Sequence, residues 1–438
     1  GGGGGGGRGL VQEVGRGMAV DPRQVLGAIL TLSMFAMLTN MIKKDYFDSP
    51  EVTLPDASSV QFAGIKLEEK DVDGLPSVSK GPWKEREQEL KPCWIKPAPK
   101  EPDKSKGYIT FSLTSGPEYH ISQVADAVVI ARYLGAILVL PDIRGSELGH
   151  KRNFEDVYAV EKFMKSLDGV IKIVKELPHE IATEKPFVVK VPNRVTEDYI
   201  KSNIEPVFQK RSYLRLAMFF PWTNLKMNSK EHKELDAVSC LAAFGTLELK
   251  PEIQEVADSM VERLRALSRK ADGHFIAVDL RVDLVEMKGC KEDDESGRKS
   301  CYSAQEIGEL LRKLGFDVDT TIYLTQTWWH ESLNFLKDMF PKSYTKDDII
   351  PSEKKGKFLG SGSSELVKAL DFHVCTQSDA FVPAATGLFY GNVVGKRIAS
   401  GRTQILVPHQ APGPASSPSE FISSYVSQRN HMAYSCYC

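Results

Sequence analysis

Apolar and polar positions along this chain fall into alternating strand-like and helix-like blocks. Tyr108 to Leu113 is an apolar, β-favouring run and predicts a buried strand. Thr114-Ser115-Gly116-Pro117 breaks that run with turn chemistry. Ile121, Val124, Ala125, Val128, Val129, Ala131 and Tyr133 then form a helical apolar face, and Gly135 stands where the helix should stop. Ala136 to Pro141 is a second apolar strand. Strand, loop, helix, strand is the unit of a parallel sheet, right-handed in nearly all cases. Ligands of such sheets bind at the loops that follow the strand C-termini. Thr114 to His120 is therefore the first loop in which to look for chemistry.

The pattern continues with a helix over Asn153–Leu167, strands at 170–174 and 187–191, and a helix from the cap Thr196 to about Gln209. A strand over 213–220 and a long amphipathic helix from Pro251 to Ser268 follow. It then restarts. Phe275 to Leu280 is a buried strand ending in Arg281, and Ser303 caps a helix with Glu306 at the capping-box position. A strand at 320–325, a helix at 332–340, a helix from about Glu365 capped by Ser363 or Ser364, a short apolar piece at 380–383, a helix at 387–399 and a strand at 404–407 complete it. The expected class is α/β, with two Rossmann-like lobes and parallel sheets, at 107–270 and 271–407. Two such lobes are the architecture of a GT-B glycosyltransferase, with the donor mostly on the second.

Outside the lobes, Val25 to Ile42 carries no charge, and at about 1.5 Å per residue it spans roughly 27 Å. Arg23 precedes it and Lys43-Lys44 follow. It reads as a transmembrane signal anchor, with residues 1–24 as a disordered cytosolic tail and 43–106 as a stem in which Trp83 and Trp94 can dock on the core. Residues 408–438 are rich in Pro and Ser and read as an unpacked tail. The net charge of −2 on 438 residues gives no footing for bulk nucleic-acid binding. The seven cysteines show no zinc spacing. Cys290 and Cys301 are the candidate local disulfide, or else two free thiols flanking a charged loop.

Several residues can carry chemistry. Arg281 ends a strand that faces the ligand crevice, where a guanidinium can bind a diphosphate and stabilise it as a leaving group. A surface salt bridge is the plainer alternative. Asp279 lies on the same strand face and can accept from a base or ribose hydroxyl, or simply pair with Arg281. Glu118 is a candidate base for an acceptor hydroxyl, since burial raises a carboxyl pKa; a helix-capping role is the alternative. His120 can do the same or bond a donor phosphate. Ser378 and Asp379 can bind a base or phosphate, or cap helices. Gly387 and the helix after it offer backbone N–H groups to an anion. The two Asp-x-Asp tripeptides, Asp71-Val72-Asp73 and Asp317-Val318-Asp319, lie in the stem and in a helix-to-strand turn, so no metal site is expected.

Three segments carry a family resemblance. GPEYHISQVADAVVIARYLGAILVLPDI resembles the first motif of plant O-fucosyltransferase-like glycosyltransferases. FIAVDLRVDLVEMKGC resembles their His-Leu-Arg strand, and ALDFHVCTQSDAFVPAATGLFYGNVVGKRIASGRTQI their third motif. GPEYH, DLR for HLR, RNFEDVY, KVPNRVTED and FGTLEL are similar to the mannan-synthesis-related branch. The resemblance covers roughly 107–407. It implies a GT-B fold, a single-pass type II Golgi membrane protein, and a GDP-sugar donor, GDP-mannose or GDP-fucose, used without a metal or other cofactor. It implies a polysaccharide or protein acceptor and a mannan synthase as a possible partner. It carries the donor-contacting roles onto Arg281, Ser378 and Asp379. The family's usual His falls on Asp279 and its usual Asn on Glu118. A related group uses a Glu in this loop as base. The functions implied are a glycosyltransferase of mannan or glucomannan synthesis acting by inverting transfer, a non-catalytic accessory of a mannan synthase, or a true protein O-fucosyltransferase.

Overall fold

The computed structural model describes residues 82–85, 87–99, 107–114, 116–144, 151–192, 195–218, 233–288, 290, 299, 301–360, 364–409 and 417–438. All lie in one compact unit, Pro76–Cys438. The expected anchor at 25–42, the tail before it, the start of the stem and Asp71-Val72-Asp73 fall outside the described residues. Among the described residues no helix is long and apolar enough to cross a membrane.

The first sheet is built from β1 (Tyr108–Thr110), β3 (Ile137–Val139), β6 (Ile173–Val174), β7 (Phe187–Val191) and β8 (Tyr213–Met218). Its order is β6-β3-β1-β8-β7, all parallel. The single strand expected at 108–113 is two strands. The chain breaks at Phe111, and β2 (Ser112–Thr114) joins β4 (Asp142–Arg144) and β5 (Lys151–Asn153) in a separate small sheet. Side-chain bonds hold the break: Ser112 Oγ donates to Asp142 Oδ1 at 2.6 Å and accepts from Arg215 Nη2 at 2.6 Å.

The second sheet contains β9 (Phe275–Asp279), β10 (Thr321–Leu324), β11 (Ser343–Tyr344) and β12 (Ala380–Pro383), in the order β11-β10-β9-β12, again all parallel. Strand β9 is buried throughout, as a central parallel strand covered on both faces must be. Its side chains alternate: Ile276 and Val278 join a smaller apolar cluster, Phe275 and Ala277 the main core. The main core also takes residues from α1 (Pro117–Leu134), α2 (Val160–Ser166), α3 (Lys233–Phe244), α4 (Pro251–Leu267), α7 (Ser364–Gln377) and α8 (Leu388–Ala399), while α5 (Ala304–Lys313) and α6 (Asn334–Met339) serve the smaller cluster. Helix α1 has proline at its first position, and Gly135 ends it at φ 65°, a left-handed cap that glycine adopts without a Cβ clash. The capping box at Ser303 and Glu306 forms as expected.

The C-terminal segment corrects an expectation. Residues 417–438 pack: Val426, Ala433, Cys436 and Tyr437 join the main core. Cys436 is bonded to Cys240 and Cys438 to Cys93, alongside the expected Cys290–Cys301 bridge. A Pro/Ser-rich composition hid a segment anchored by covalent bonds rather than by apolar periodicity. The described part of the stem docks as well, Trp83 stacking on His274 and meeting Phe316 edge-on. The Cys240–Cys436 bond joins positions 196 residues apart, so its loss frees a large loop in the unfolded chain. Replacing both cysteines with serine is expected to lower the unfolding free energy by about 2–5 kcal/mol, read from the denaturant midpoint.

Candidate active site

Strand β9 delivers Asp279 and Arg281 to its C-terminal edge, and the loop after β2 delivers Glu118 on the first turn of α1. These residues come together. Arg281 Nε lies 3.4 Å from Asp279 Oδ1 as an ion pair, and Arg281 and Asp279 both act on the charge of Glu118. Asp279 is fixed from below, Thr325 Oγ1 donating to its Oδ1 at 2.9 Å. The Thr325 carbonyl in turn accepts from Lys346 Nζ at 2.7 Å, and Lys346 is paired with Asp371 in a buried network completed by the Tyr323 hydroxyl. The Arg281 guanidinium lies 5.5 Å from the centre of the Phe389 ring, in the first turn of α8. That helix has no side-chain cap, and Gly387 before it has φ 154°, a backbone that other residues rarely adopt. Its first N–H groups and Arg281 together form a positive corner suited to an anion.

Glu118 is only 4% exposed. Burial pushes its carboxyl pKa up, opposed chiefly by Lys368, whose Nζ lies 3.9 Å from Oε1. Its Oε2 has no hydrogen-bond partner among the described residues. Its backbone carbonyl accepts from Asn392 Nδ2 of α8 at 2.7 Å, which ties Glu118 to the helix beside Arg281. Asn392 Oδ1 is also buried without a partner. A buried carboxylate and amide with open acceptor capacity beside a partly exposed guanidinium make a site that a polar ligand or ordered water would complete.

Three expected site residues are elsewhere. His120 is wholly buried, shares a 2.6 Å hydrogen bond between Nδ1 and the Tyr158 hydroxyl, and does not reach the crevice. Two residues beyond Glu118 on a helix, it points about 200° away around the axis. Burial, helped by Lys368, holds its pKa down to about 3, so the ring stays neutral. Ser378 and Asp379 precede β12 instead of following a strand, so they sit at the opposite edge of the sheet from Arg281. There Arg397 donates to Ser378 Oγ at 2.9 Å, and Arg265 pairs with Asp379 at 3.0 Å. Both side chains are engaged by arginines in this arrangement. Asp317 and Asp319 also lie at that opposite edge, Asp319 paired with Lys270 and Lys342. Among the described residues no group of three or more His, Cys, Asp or Glu could hold a metal ion.

Lys368 and Asn392 were not predicted. Their one signal in the sequence is a polar side chain flanked on both sides by apolar helical residues, LVKAL for the first and LFYGNVVG for the second. Gly116 belongs to the same arrangement. A Cβ there would meet Glu118 Oε2 at 2.4 Å and Lys368 Cδ at 2.7 Å. Both are side-chain atoms that can move, so Gly116→Ala is expected to fold with the carboxylate displaced. Transfer activity should fall about tenfold or more, while GDP affinity, measured by calorimetry, stays within about twofold of the parent's.

The family model described as GDP-fucose protein O-fucosyltransferase matches residues 116–399. Protein MANNAN SYNTHESIS-RELATED 1 of Arabidopsis thaliana is 53% identical over 96% of this chain and 100% of its own length. Protein MANNAN SYNTHESIS-RELATED of Trigonella foenum-graecum is 46% identical over the same shares. A crystal structure of POFUT1 in complex with GDP aligns at 14% identity and a TM-score of 0.40, over 69% of this chain and 98% of that one. The chain belongs to the GDP-fucose protein O-fucosyltransferase family, in the branch of the mannan-synthesis-related proteins.

Proposed function

We propose that this chain is a Golgi glycosyltransferase with two GT-B-like lobes that takes a GDP-sugar, GDP-mannose or GDP-fucose, in the crevice at Arg281. It transfers the sugar with inversion to an acceptor in mannan or glucomannan synthesis. The observation that carries the reading is a buried, partly unpartnered Glu118 carboxylate beside the Arg281 guanidinium at the C-terminal edge of β9. In the reaction Glu118 takes the proton of the acceptor hydroxyl. The acceptor oxygen bonds to the anomeric carbon as the bond from that carbon to the diphosphate oxygen breaks. GDP leaves with the electron pair, and its new charge meets Arg281 and the N-terminus of α8. Those groups supply the positive charge the leaving diphosphate needs, so the reaction runs without a metal ion. The relatives' names support the mannan setting. Three disulfides support a folding compartment that is oxidising, as the Golgi lumen behind a signal anchor would be.

A second reading, an accessory partner of a mannan synthase, draws on the depth of Glu118, which a substrate must uncover before using it. The test is GDP release from GDP-mannose and GDP-fucose with glucomannan oligosaccharides or a folded protein domain as acceptor. Release that depends on the oligosaccharide supports the transferase of mannan synthesis. Release that depends only on the protein supports a protein O-fucosyltransferase. No release with any pair leaves the accessory role.

A further inference from the structure

Glu118 has one cation within ion-pairing range among the described residues, and it comes from a distant part of the chain. Lys368 enters on α7, its side chain 27% exposed, and brings Nζ to 3.9 Å from Glu118 Oε1. That separation is an ion pair beyond hydrogen-bond reach. The lysine stem runs through the space that Gly116 leaves open, the same space that admits Glu118 Oε2. We infer that Lys368 is the positioning residue that holds Glu118 as an oriented carboxylate for the transfer reaction, an inference that rests on the reading of Glu118 as the base.

The other groups on the elements packed around Glu118 cannot do this. Asp279, at the end of β9, opposes its negative charge. Arg281 assists it, but is itself engaged by Asp279 and, in the reaction, by the diphosphate. His120, on the same helix, is neutral, the Tyr158 phenol is held protonated by burial, and Asn392 of α8 is uncharged. Without Lys368, a carboxyl this deeply buried takes up a proton at higher pH, and a protonated carboxyl cannot accept the acceptor's proton.

The test uses the full chain labelled with carbon-13 at the glutamate carboxyls, the Glu118 signal being assigned by its absence in Glu118→Gln. In Lys368→Met, Glu118 should become an about tenfold weaker acid. The acidic limb of kcat/KM should move to higher pH to match. Lys368→Arg should restore both, while GDP affinity changes little in either variant. Lys368→Gln carries the same test should Lys368→Met fail to fold. A Glu118 titration that ignores Lys368 overturns the inference. If the parent releases no GDP from any donor but its Glu118 titration follows Lys368, the transferase reading falls and the coupling stands.

Discussion

Arg281→Ala should lose GDP binding by about a hundredfold or more, and sugar transfer with it. The guanidinium is the one cation delivered by a strand end to this corner, and its only ion-pairing partner among the described residues is Asp279 at 3.4 Å. Burial works against its charge, but Asp279, Glu118, Asp371 and Asp283 outweigh that and hold it firmly protonated. Removing it leaves Asp279 and Glu118 as an excess of negative charge facing an incoming diphosphate. Charge-assisted bonds from guanidinium to phosphate contribute about 1.5–3 kcal/mol each, which sets the size of the loss. Arg281→Lys keeps a point charge but not the planar fork, so it should recover only part of the affinity. Calorimetry of both variants against GDP checks this. An Arg281→Ala protein that binds GDP as the parent does would move the donor site elsewhere.

Glu118→Gln should reduce transfer by roughly 10²–10⁴-fold with GDP affinity nearly kept, and should also make the protein more stable at neutral pH. The second effect follows from the raised pKa. A carboxyl whose pKa is higher folded than unfolded contributes its stability below the unfolded value and loses it as pH rises through the folded one. At neutral pH the native state therefore bears the cost of a buried carboxylate only loosely paired to Lys368, and glutamine removes it. Tm should rise by roughly 1–3 °C at neutral pH, and the gain should vanish at acid pH, where both proteins carry a neutral side chain. Melting curves across pH, set beside GDP-release rates, test both halves. Unchanged transfer would remove Glu118 as the base. A lower Tm at neutral pH would show that its charge is structurally required.

Local chemistry made part of this site legible in the sequence. Arg281 was legible because it follows a buried, mostly apolar strand, and Glu118 because it opens a helix right after a strand and a turn. Those placements depend only on neighbouring residues. Ser378 and Asp379 have equally suitable side chains, but whether a loop lies before or after its strand decides which edge of a parallel sheet it occupies. Here they precede β12 and bond Arg397 and Arg265. His120 failed for a similar reason, since two helical positions turn a side chain to the other face. Lys368 and Asn392 join Glu118 from about 250 and 274 residues downstream, and neither local propensity nor spacing signals such a meeting. The C-terminal segment was misread because two disulfides hold it, and cysteine pairing is set by the folded arrangement, not by composition.

The measurement that bears most directly on the central claim is a calorimetric titration of the protein with GDP, GDP-mannose and GDP-fucose, in EDTA and again with manganese. A donor site at Arg281 predicts GDP binding of the same strength in both buffers, with at least one of the two GDP-sugars bound as well. A folded protein that binds none of the three nucleotides would contradict the account and leave a non-catalytic role in mannan synthesis in its place.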